Sequence, residues 1–144
     1  MIFNGTTQLY RGWEEFKSKG ADLSSDIFKC LLVNQDYVPD LVNHSLVSDI
    51  TNELASQNGY SRQTLSGVSY SFSSGAYRFL AGNIIFAANG GSLIARRYVI
   101  FNDTISALVC TGLLNSANED VVITDGNDLT ITIPTTGLFS VTEG

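Results

Sequence analysis

The strongest constraint on the fold of this chain is a period-two alternation of apolar and polar residues in its last third. Over residues 129–133, leucine or isoleucine alternates with threonine, which is the pattern of a half-exposed β-strand. Residues 125–127, Asp-Gly-Asn, supply turn chemistry before it, and Val121 and Ile123 alternate before the turn. The pattern therefore predicts a β-hairpin over 121–133.

Short runs of strand-forming residues recur along the rest of the chain, separated by turn residues at intervals of roughly 8–12 residues. They occupy residues 27–33, 68–72, 77–79, 84–87, 93–101, 107–114 and 138–141. This spacing is typical of an all-β domain. We expect a mainly β fold, an antiparallel β-sandwich of jelly-roll type, with a short helical or irregular segment at the N-terminus.

Local patterns make these expectations specific. Residues 68–79 predict a hairpin that turns at Ser-Ser-Gly, and the Asn-Gly-Gly sequence at 89–91 predicts a second hairpin turn. Residues 93–101 predict one long strand. Residues 46–54 carry a capping residue followed by Glu53, which predicts a single short helix.

The composition narrows the class of protein. Serine, threonine and asparagine fill 39 of 144 positions, whereas charged residues make up only 15%, so an uncharged polar surface is expected. A net charge of −6 with 8 basic residues does not favour binding to the phosphate backbone of a nucleic acid. No apolar stretch is long enough for a bilayer, and the first residues show no signal peptide. We therefore expect a protein made in the cytoplasm, with neither nucleic acid nor membrane as a partner.

Residues that could carry chemistry are sparse. The chain has one histidine, His44, which follows Asp36 and Asp40 at intervals of four. On a helix these three side chains would stack as metal ligands, but Pro39 interrupts a helix there, so a surface loop is the preferred interpretation. No nucleophile elbow is present. We predict no catalytic, metal or cofactor site, and no enzymatic activity.

The two cysteines, Cys30 and Cys110, lie far apart in strand-like runs. Buried free thiols are the preferred interpretation, because cysteine packs well in apolar cores. A disulfide or a reactive pair is the alternative.

Arg96 and Arg97 lie within a predicted strand, so alternation places them on opposite faces. One of them must share a face with apolar residues, and it needs a partner such as a carboxylate or backbone carbonyls. Pairing within the chain is one interpretation. A subunit interface is the other, so both arginines are candidate interface residues.

Several segments of the chain, in this order, form a recognisable series of motifs. Residues 22–32 read Asp-Leu-Ser-Ser-Asp-Ile-Phe-Lys-Cys-Leu-Leu, residues 37–40 read Tyr-Val-Pro-Asp and precede His44, and residues 46–60 contain Ser-Asp, Asn-Glu and Gly-Tyr pairs. Residues 95–104 read Ala-Arg-Arg-Tyr-Val-Ile-Phe-Asn-Asp-Thr, and residues 125–139 hold Asp-Gly-Asn-Asp-Leu-Thr-Ile-Thr-Ile-Pro followed by Gly-Leu-Phe. Over about residues 22–141 the chain resembles a family of small structural proteins of tailed bacteriophages. It departs from the family at Gly82-Asn83, Phe86 and Gly112, where two Asp, a Trp and an Asp are common.

The resemblance implies a virion component. One interpretation is a capsid decoration or cement protein that binds the major capsid protein, stabilises the head and forms a homotrimer on the capsid surface. The second is a tail, fibre or neck component, including a carbohydrate-binding adhesin with Tyr60, Tyr70 and Tyr77 as candidate stacking residues. The third, an enzyme or a free ligand-binding jelly roll, rests on fold analogy alone.

The first twenty residues differ from the rest of the chain. Leu9, Trp13 and Phe16 are spaced as in a short helical turn. The aromatic residues of this segment are Phe3, Tyr10, Trp13 and Phe16. One short turn cannot bury so much aromatic surface, so we expect residues 1–20 to form an arm on a neighbouring subunit or on the capsid, beside a single domain at 21–144. The alternative is that the arm covers one end of its own domain.

Overall fold

The described part of the chain is built from short antiparallel strands that are joined by turns and loops. The computed structural model describes residues 7–11, 22–73, 75–135 and 137–142. The strands are β1 Gln8–Leu9, β2 Phe28–Val33, β3 Gln63–Thr64, β4 Ser69–Ser73, β5 Ala76–Leu80, β6 Ile84–Ala87, β7 Leu93–Ala95, β8 Arg97–Asn102, β9 Ala107–Leu113, β10 Val121–Ile123, β11 Asp128–Ile131 and β12 Phe139–Thr142. The prediction of a mainly β chain is confirmed. Within the described ranges, no helix is long and apolar enough to span a membrane.

The largest sheet has five strands in the order β1-β9-β8-β2-β3. Its central strands are buried on both faces, because β2 and β8 are apolar at successive positions and almost every residue of β9 is buried. Such runs are typical of strands covered on both sides. The register of β8 and β9 shifts between Ile100 and Phe101, which leaves Val109 as an extra residue in β9.

Each face of this sheet has its own hydrophobic core. The larger core joins β2 and β8 to β5, β6, β7 and β11; in it the rings of Phe28 and Phe79 meet edge to face with centroids 5.0 Å apart. The smaller core lies on the opposite face. Its buried members are Tyr10, Leu31, Val33, Tyr37, Val99, Phe101 and Leu108. Residues Leu41, Val47 and Ile50 of the loop after β2 pack over it.

The predicted hairpin over 121–133 is wrong, and so is the predicted hairpin turn at 89–91. Strand β10 pairs with β7, and β11 pairs with β6, so two distant segments form one long antiparallel ribbon. The two turns lie against each other in the middle of this ribbon. There the N–H of Ala88 donates to the carbonyl of Asn127, and the N–H of Gly90 donates to the Asp125 carboxylate.

The predicted long strand over 93–101 is divided at Arg96. The N–H of Arg96 donates to the carbonyl of Val33, and its carbonyl accepts from the N–H of Leu114. The chain therefore exchanges one partner, β10, for two others, β2 and β9. The bend lets a single segment serve both the ribbon and the five-stranded sheet.

The predicted short helix over 46–54 is wrong. This segment contains only a 3-10 turn at Val47–Asp49. The carboxylate of Asp49 accepts hydrogen bonds from the N–H groups of Ser45 and Leu46, and Ile50 returns to extended backbone. A closed local turn of this kind competes with helix propagation.

Two other predictions are confirmed. Strands β4 and β5 form the predicted hairpin, and Gly75 in its turn has a φ of 81°, which suits glycine. Cys30 and Cys110 are free and buried, and burial raises the pKa of both thiols well above the ordinary value.

Position 112 requires a glycine because of the way in which its cross-strand neighbour packs. Tyr98 lies opposite Gly112 in the β8–β9 pair, and a Cβ at Gly112 would collide with the Tyr98 ring and hydroxyl. The ring fills the space that a side chain would occupy, while its hydroxyl lies 2.8 Å from the Thr7 hydroxyl. An aspartate here would require Tyr98 to move.

A polar cluster fastens the segment before β3 to the edge of the five-stranded sheet. The Tyr60 hydroxyl accepts from the Leu32 N–H at 3.1 Å and donates to Glu53 at 2.7 Å. Arg62 binds both oxygens of the same carboxylate, at 3.0 and 2.8 Å. Burial alone would raise the pKa of Glu53, but the hydrogen bonds from Arg62 and Tyr60 outweigh it and hold the pKa below its ordinary value.

Replacing Phe79 tests the larger core. Phe79→Ala is expected to lower the free energy of unfolding by about 3–5 kcal/mol, because a fully buried ring leaves a cavity. Phe72→Ala, on the paired strand of the same hairpin but largely exposed, is the matched control and should cost less than about 1 kcal/mol. Urea unfolding measures both. Equal losses would contradict this assignment of the core.

Glu53 is expected to make stability depend on pH. Because its folded pKa is depressed, its contribution is fully present above the unfolded pKa of about 4.3 and is lost as pH falls through the folded value. The wild type should therefore lose stability toward acid more steeply than Glu53→Gln does. Urea unfolding at pH 7 and at pH 3 compares the two chains, and parallel pH profiles would rule out the effect.

Candidate interaction surface

The β4–β5 hairpin carries a row of aromatic rings that runs from the core to solvent. Tyr70 lies opposite Phe79, and Phe72 lies opposite Tyr77, so all four rings share one face. Phe79 is fully buried and Tyr70 is partly buried, whereas Phe72 is 54% exposed and Tyr77 is 39% exposed. The hairpin therefore extends past the edge of the core, and the end of its apolar face is exposed to solvent.

Contacts among Tyr70, Phe72 and Tyr77, which we call the aromatic ledge, orient the exposed rings. Tyr70 and Tyr77 stack with centroids 5.6 Å apart and planes at 19°. Phe72 meets Tyr77 edge to face at 5.2 Å and 65°. Burial of its ring, followed by the field of Tyr77, raises the pKa of Tyr70. The ledge thus presents preoriented aromatic surface to solvent, and such surface suits a protein partner or the apolar face of a sugar.

The three tyrosines that were candidates for sugar stacking have different environments. Tyr60 is buried, stacks on Phe86 at 6.0 Å and uses its hydroxyl within the chain. Tyr60 is therefore a core residue, whereas Tyr70 and Tyr77 belong to the ledge. Phe72 is the most exposed ring of the ledge and was not predicted, although its alternation with Tyr70 beside a turn was a usable signal.

The two arginines occupy different positions. Arg96 donates from Nε to Asp120 at 2.8 Å and lies within hydrogen-bond distance of Asn118 and Gln35. Its charge is therefore paired within the chain. Arg97 is partly buried between Val33 and Leu113, its cross-strand neighbours. Its Nη1 is buried and has no hydrogen-bond partner in the described part of the chain.

The N-terminal candidates are placed only in part. Tyr10 is fully buried in the smaller core, its N–H donates to the Val109 carbonyl at 3.0 Å, and its hydroxyl lies 2.7 Å from that of Tyr37. The side chain of Tyr10 therefore offers no surface to a partner, contrary to its expected place at an interface. Leu9, expected in a helical turn, lies in β1. Phe3, Trp13 and Phe16 lie outside the described residues.

His44 completes a chain of polar contacts that leads out of the smaller core. Its Nδ1 accepts from the Asp40 N–H at 3.2 Å and lies 3.0 Å from the Tyr37 hydroxyl. The His44 ring also stacks on Tyr37 at 5.7 Å. Hydrogen bonds from Asn43 lower the pKa of Asp40. Among the described residues, no three histidine, cysteine or acidic side chains form a group that could hold a metal.

Replacing the two arginines separately should have different effects on stability. Arg97→Met is expected to leave the free energy of unfolding unchanged or to raise it by up to about 1–3 kcal/mol, because it removes an unpaired buried donor. Arg96→Met should lower it by roughly 0.5–1 kcal/mol through loss of the Asp120 ion pair. Thermal or urea unfolding distinguishes the two. A larger loss in Arg97→Met than in Arg96→Met would contradict the description of the Arg97 Nη1 atom as a buried donor without a partner.

Comparison with known proteins gives no match: no family model, no curated protein and no solved structure corresponds to this chain. The resemblance to phage structural proteins therefore remains a prediction from the sequence.

Proposed function

We propose that this chain is a structural component of a bacteriophage virion, a decoration protein that binds the major capsid protein, stabilises the head and has no enzymatic role. It is made in the host cytoplasm and resides on the capsid surface. The resemblance over residues 22–141 supports the class of protein. The structural observation that carries the proposal is the aromatic ledge of Tyr70, Phe72 and Tyr77.

The ledge suits permanent attachment to a protein lattice. Aromatic side chains dominate the energetics of protein interfaces because each buries a large area and loses few rotamers on binding. Two of the three rings are substantially exposed, and their mutual contacts hold them in place before a partner arrives. Binding then buries apolar area with little ordering of side chains.

A β-sandwich of jelly-roll type is the architecture that we propose for the domain. In its favour, the larger core lies between the five-stranded sheet and the three-stranded sheet of β12, β5 and β4, where Phe28 contacts Phe79. The ribbon of β6 and β7 with β10 and β11 contributes the remaining strands of this core. Three copies at a threefold position of the capsid lattice are the proposed assembly, since closed symmetry is the usual solution for such proteins.

The ledge also favours a second candidate function, a carbohydrate-binding adhesin in the tail, fibre or neck. A tyrosine of a stacked pair can accept the apolar face of a pyranose on the ring face that its neighbour leaves open, and each tyrosine adds a hydroxyl that can bond to sugar oxygens. Tyr70 and Tyr77 provide such a pair at 5.6 Å.

Location on the virion separates the two candidates. We expect immunogold labelling with an antibody to this chain to cover the heads of virions of the encoding phage. The purified chain should be a trimer, and it should bind to heads that lack it, as measured by co-sedimentation. Binding should raise the resistance of these heads to heat. Phe72→Ser with Tyr77→Ser should weaken this binding at least tenfold. Ile85→Ser, which replaces a similarly exposed apolar residue on the ribbon, should bind like wild type.

Each alternative predicts a different result. Gold confined to the tail, together with binding to host glycans that is lost in the ledge variant, would contradict the decoration function and support the adhesin function. Virions without any label would overturn both candidates.

A further inference from the structure

Two asparagine–glycine pairs of the described chain lie side by side at the middle of the ribbon. They are Asn58-Gly59 and Asn89-Gly90, and the Asn89 N–H donates to the Asn58 carbonyl at 2.9 Å. In such a pair the backbone nitrogen of the glycine can attack the side-chain carboxamide, because glycine has no side chain to hinder the approach. The two pairs are equivalent in sequence, whereas their side chains have different environments.

The carboxamide of Asn58 is held in place. Its nitrogen donates to the Ser92 carbonyl at 3.1 Å, and a Cβ added at Gly91 would lie only 2.6 Å from the Asn58 Cγ. Asn58 is also partly buried, and its backbone has a positive φ of 54°. The carbon that the Gly59 nitrogen would have to reach is therefore fixed against another segment.

The carboxamide of Asn89 is free to turn. Asn89 and Gly90 are both exposed, and no hydrogen bond to the Asn89 side chain is found in the described part of the chain. A Cβ added at Gly90 would meet nothing within 4 Å, so the space beside this glycine is open. The side chain can therefore approach the Gly90 nitrogen without breaking a hydrogen bond.

A carboxylate lies beside the attacking nitrogen of the second pair. The Gly90 N–H donates to Oδ1 of Asp125 at 2.8 Å, which is within the reach required of a general base. The Gly90 nitrogen must lose this proton as it bonds to the carboxamide carbon, and Asp125 is placed to accept it. At the Gly59 N–H, no such carboxylate is found among the described residues.

We propose that Asn89 is a site of self-catalysed modification, at which the Gly90 nitrogen closes a succinimide ring on the Asn89 side chain with Asp125 as the base. The bond from the Gly90 nitrogen to Cγ forms, and the bond from Cγ to the carboxamide nitrogen breaks. The proton of the Gly90 N–H passes through Asp125 to the leaving nitrogen, which departs as ammonia. Water then opens the ring at either carbonyl and leaves an aspartate or an isoaspartate at position 89.

This modification weakens the contact between the two turns of the ribbon. In the ring the Gly90 nitrogen carries no hydrogen, so its hydrogen bond to Asp125 is lost. Hydrolysis then adds a carboxylate to this turn, in a chain that already carries a net charge of −6, and an isoaspartate also lengthens the backbone by one carbon. The inference does not depend on the proposed function, because it concerns the chemistry of the isolated chain.

The test stores the folded wild-type chain at neutral pH and follows its tryptic peptides by mass spectrometry. Cleavage separates the two asparagines, which lie in the peptides 30–62 and 79–96, and fragment ions distinguish Asn89 from Asn83. We expect Asn89 to show the mass change of deamidation at least tenfold faster than Asn58. In the chain unfolded by guanidinium, both should convert at similar rates, because each is followed by glycine. Equal rates in the folded chain, or conversion of Asn89 only after unfolding, would overturn the proposal.

Replacing Asp125 tests its role as the base. Asp125→Asn keeps an oxygen that can accept from the Gly90 N–H but is not basic, so conversion of Asn89 should slow at least tenfold. The introduced asparagine lies in the separate peptide 98–144. Asp128→Asn, which removes an equal charge from an exposed position of the same segment, is the matched control and should convert Asn89 like wild type. An unchanged or faster conversion in Asp125→Asn would overturn the assignment.

Thermal unfolding of stored samples tests the consequence for the ribbon. The unfolding temperature of the wild type should fall as position 89 is converted. Asn89→Gln should keep its unfolding temperature, because a glutamine would have to close a larger ring. An equal fall in both chains would contradict the proposed effect on the contact between the turns. Since the first comparison uses the wild-type chain alone, it holds even if a variant fails to fold.

Discussion

Strand β8 is the element on which the rest of the described structure depends. It lies between β2 and β9 in the five-stranded sheet, and its residues from Tyr98 to Asn102 are buried. A sheet whose centre is buried on both faces needs a covering layer on each side. The ribbon and the β4–β5 hairpin cover one face, and the loop after β2 covers the other together with Tyr10. This explains why a strand as short as β1 matters, since it positions Tyr10 over the smaller core.

The smaller core includes polar side chains, and the hydroxyl groups among them have hydrogen-bond partners. The hydroxyls of Tyr10 and Tyr37 bond to each other, and His44 accepts beyond them at the surface. Buried hydroxyls are tolerated when each has a partner. Burial nevertheless raises the pKa of Tyr10 strongly, ahead of the effect of Tyr37, so the phenol stays neutral. At the end of the same face, the Nη1 atom of Arg97 is buried and has no hydrogen-bond partner among the described residues.

Alternation in the sequence located most strands but not their partners. Residues 121–133 contain two strands with a turn between them, as predicted, yet each strand pairs with a segment that lies between 26 and 47 positions earlier. A turn with Gly126 at positive φ is equally compatible with a hairpin and with two strands that diverge. The choice depends on contacts between this turn and residues 88–90, which no local pattern reveals. Similarly, alternation placed the two arginines on different faces, but the pairing of Arg96 with Asp120 depends on a loop between distant strands.

The exposed apolar residues mark where the covering layers end. The central strands of the five-stranded sheet are covered on both faces, whereas the hairpin extends past the core with Phe72 and Tyr77, and the outer face of the ribbon exposes Ile94 and Val122. Unpaired edges and exposed rings invite association without selectivity. A net charge of −6 opposes it, since copies of the chain repel one another until matched surfaces meet. The negative charge therefore disfavours random self-association through the exposed apolar residues of the hairpin and of the ribbon.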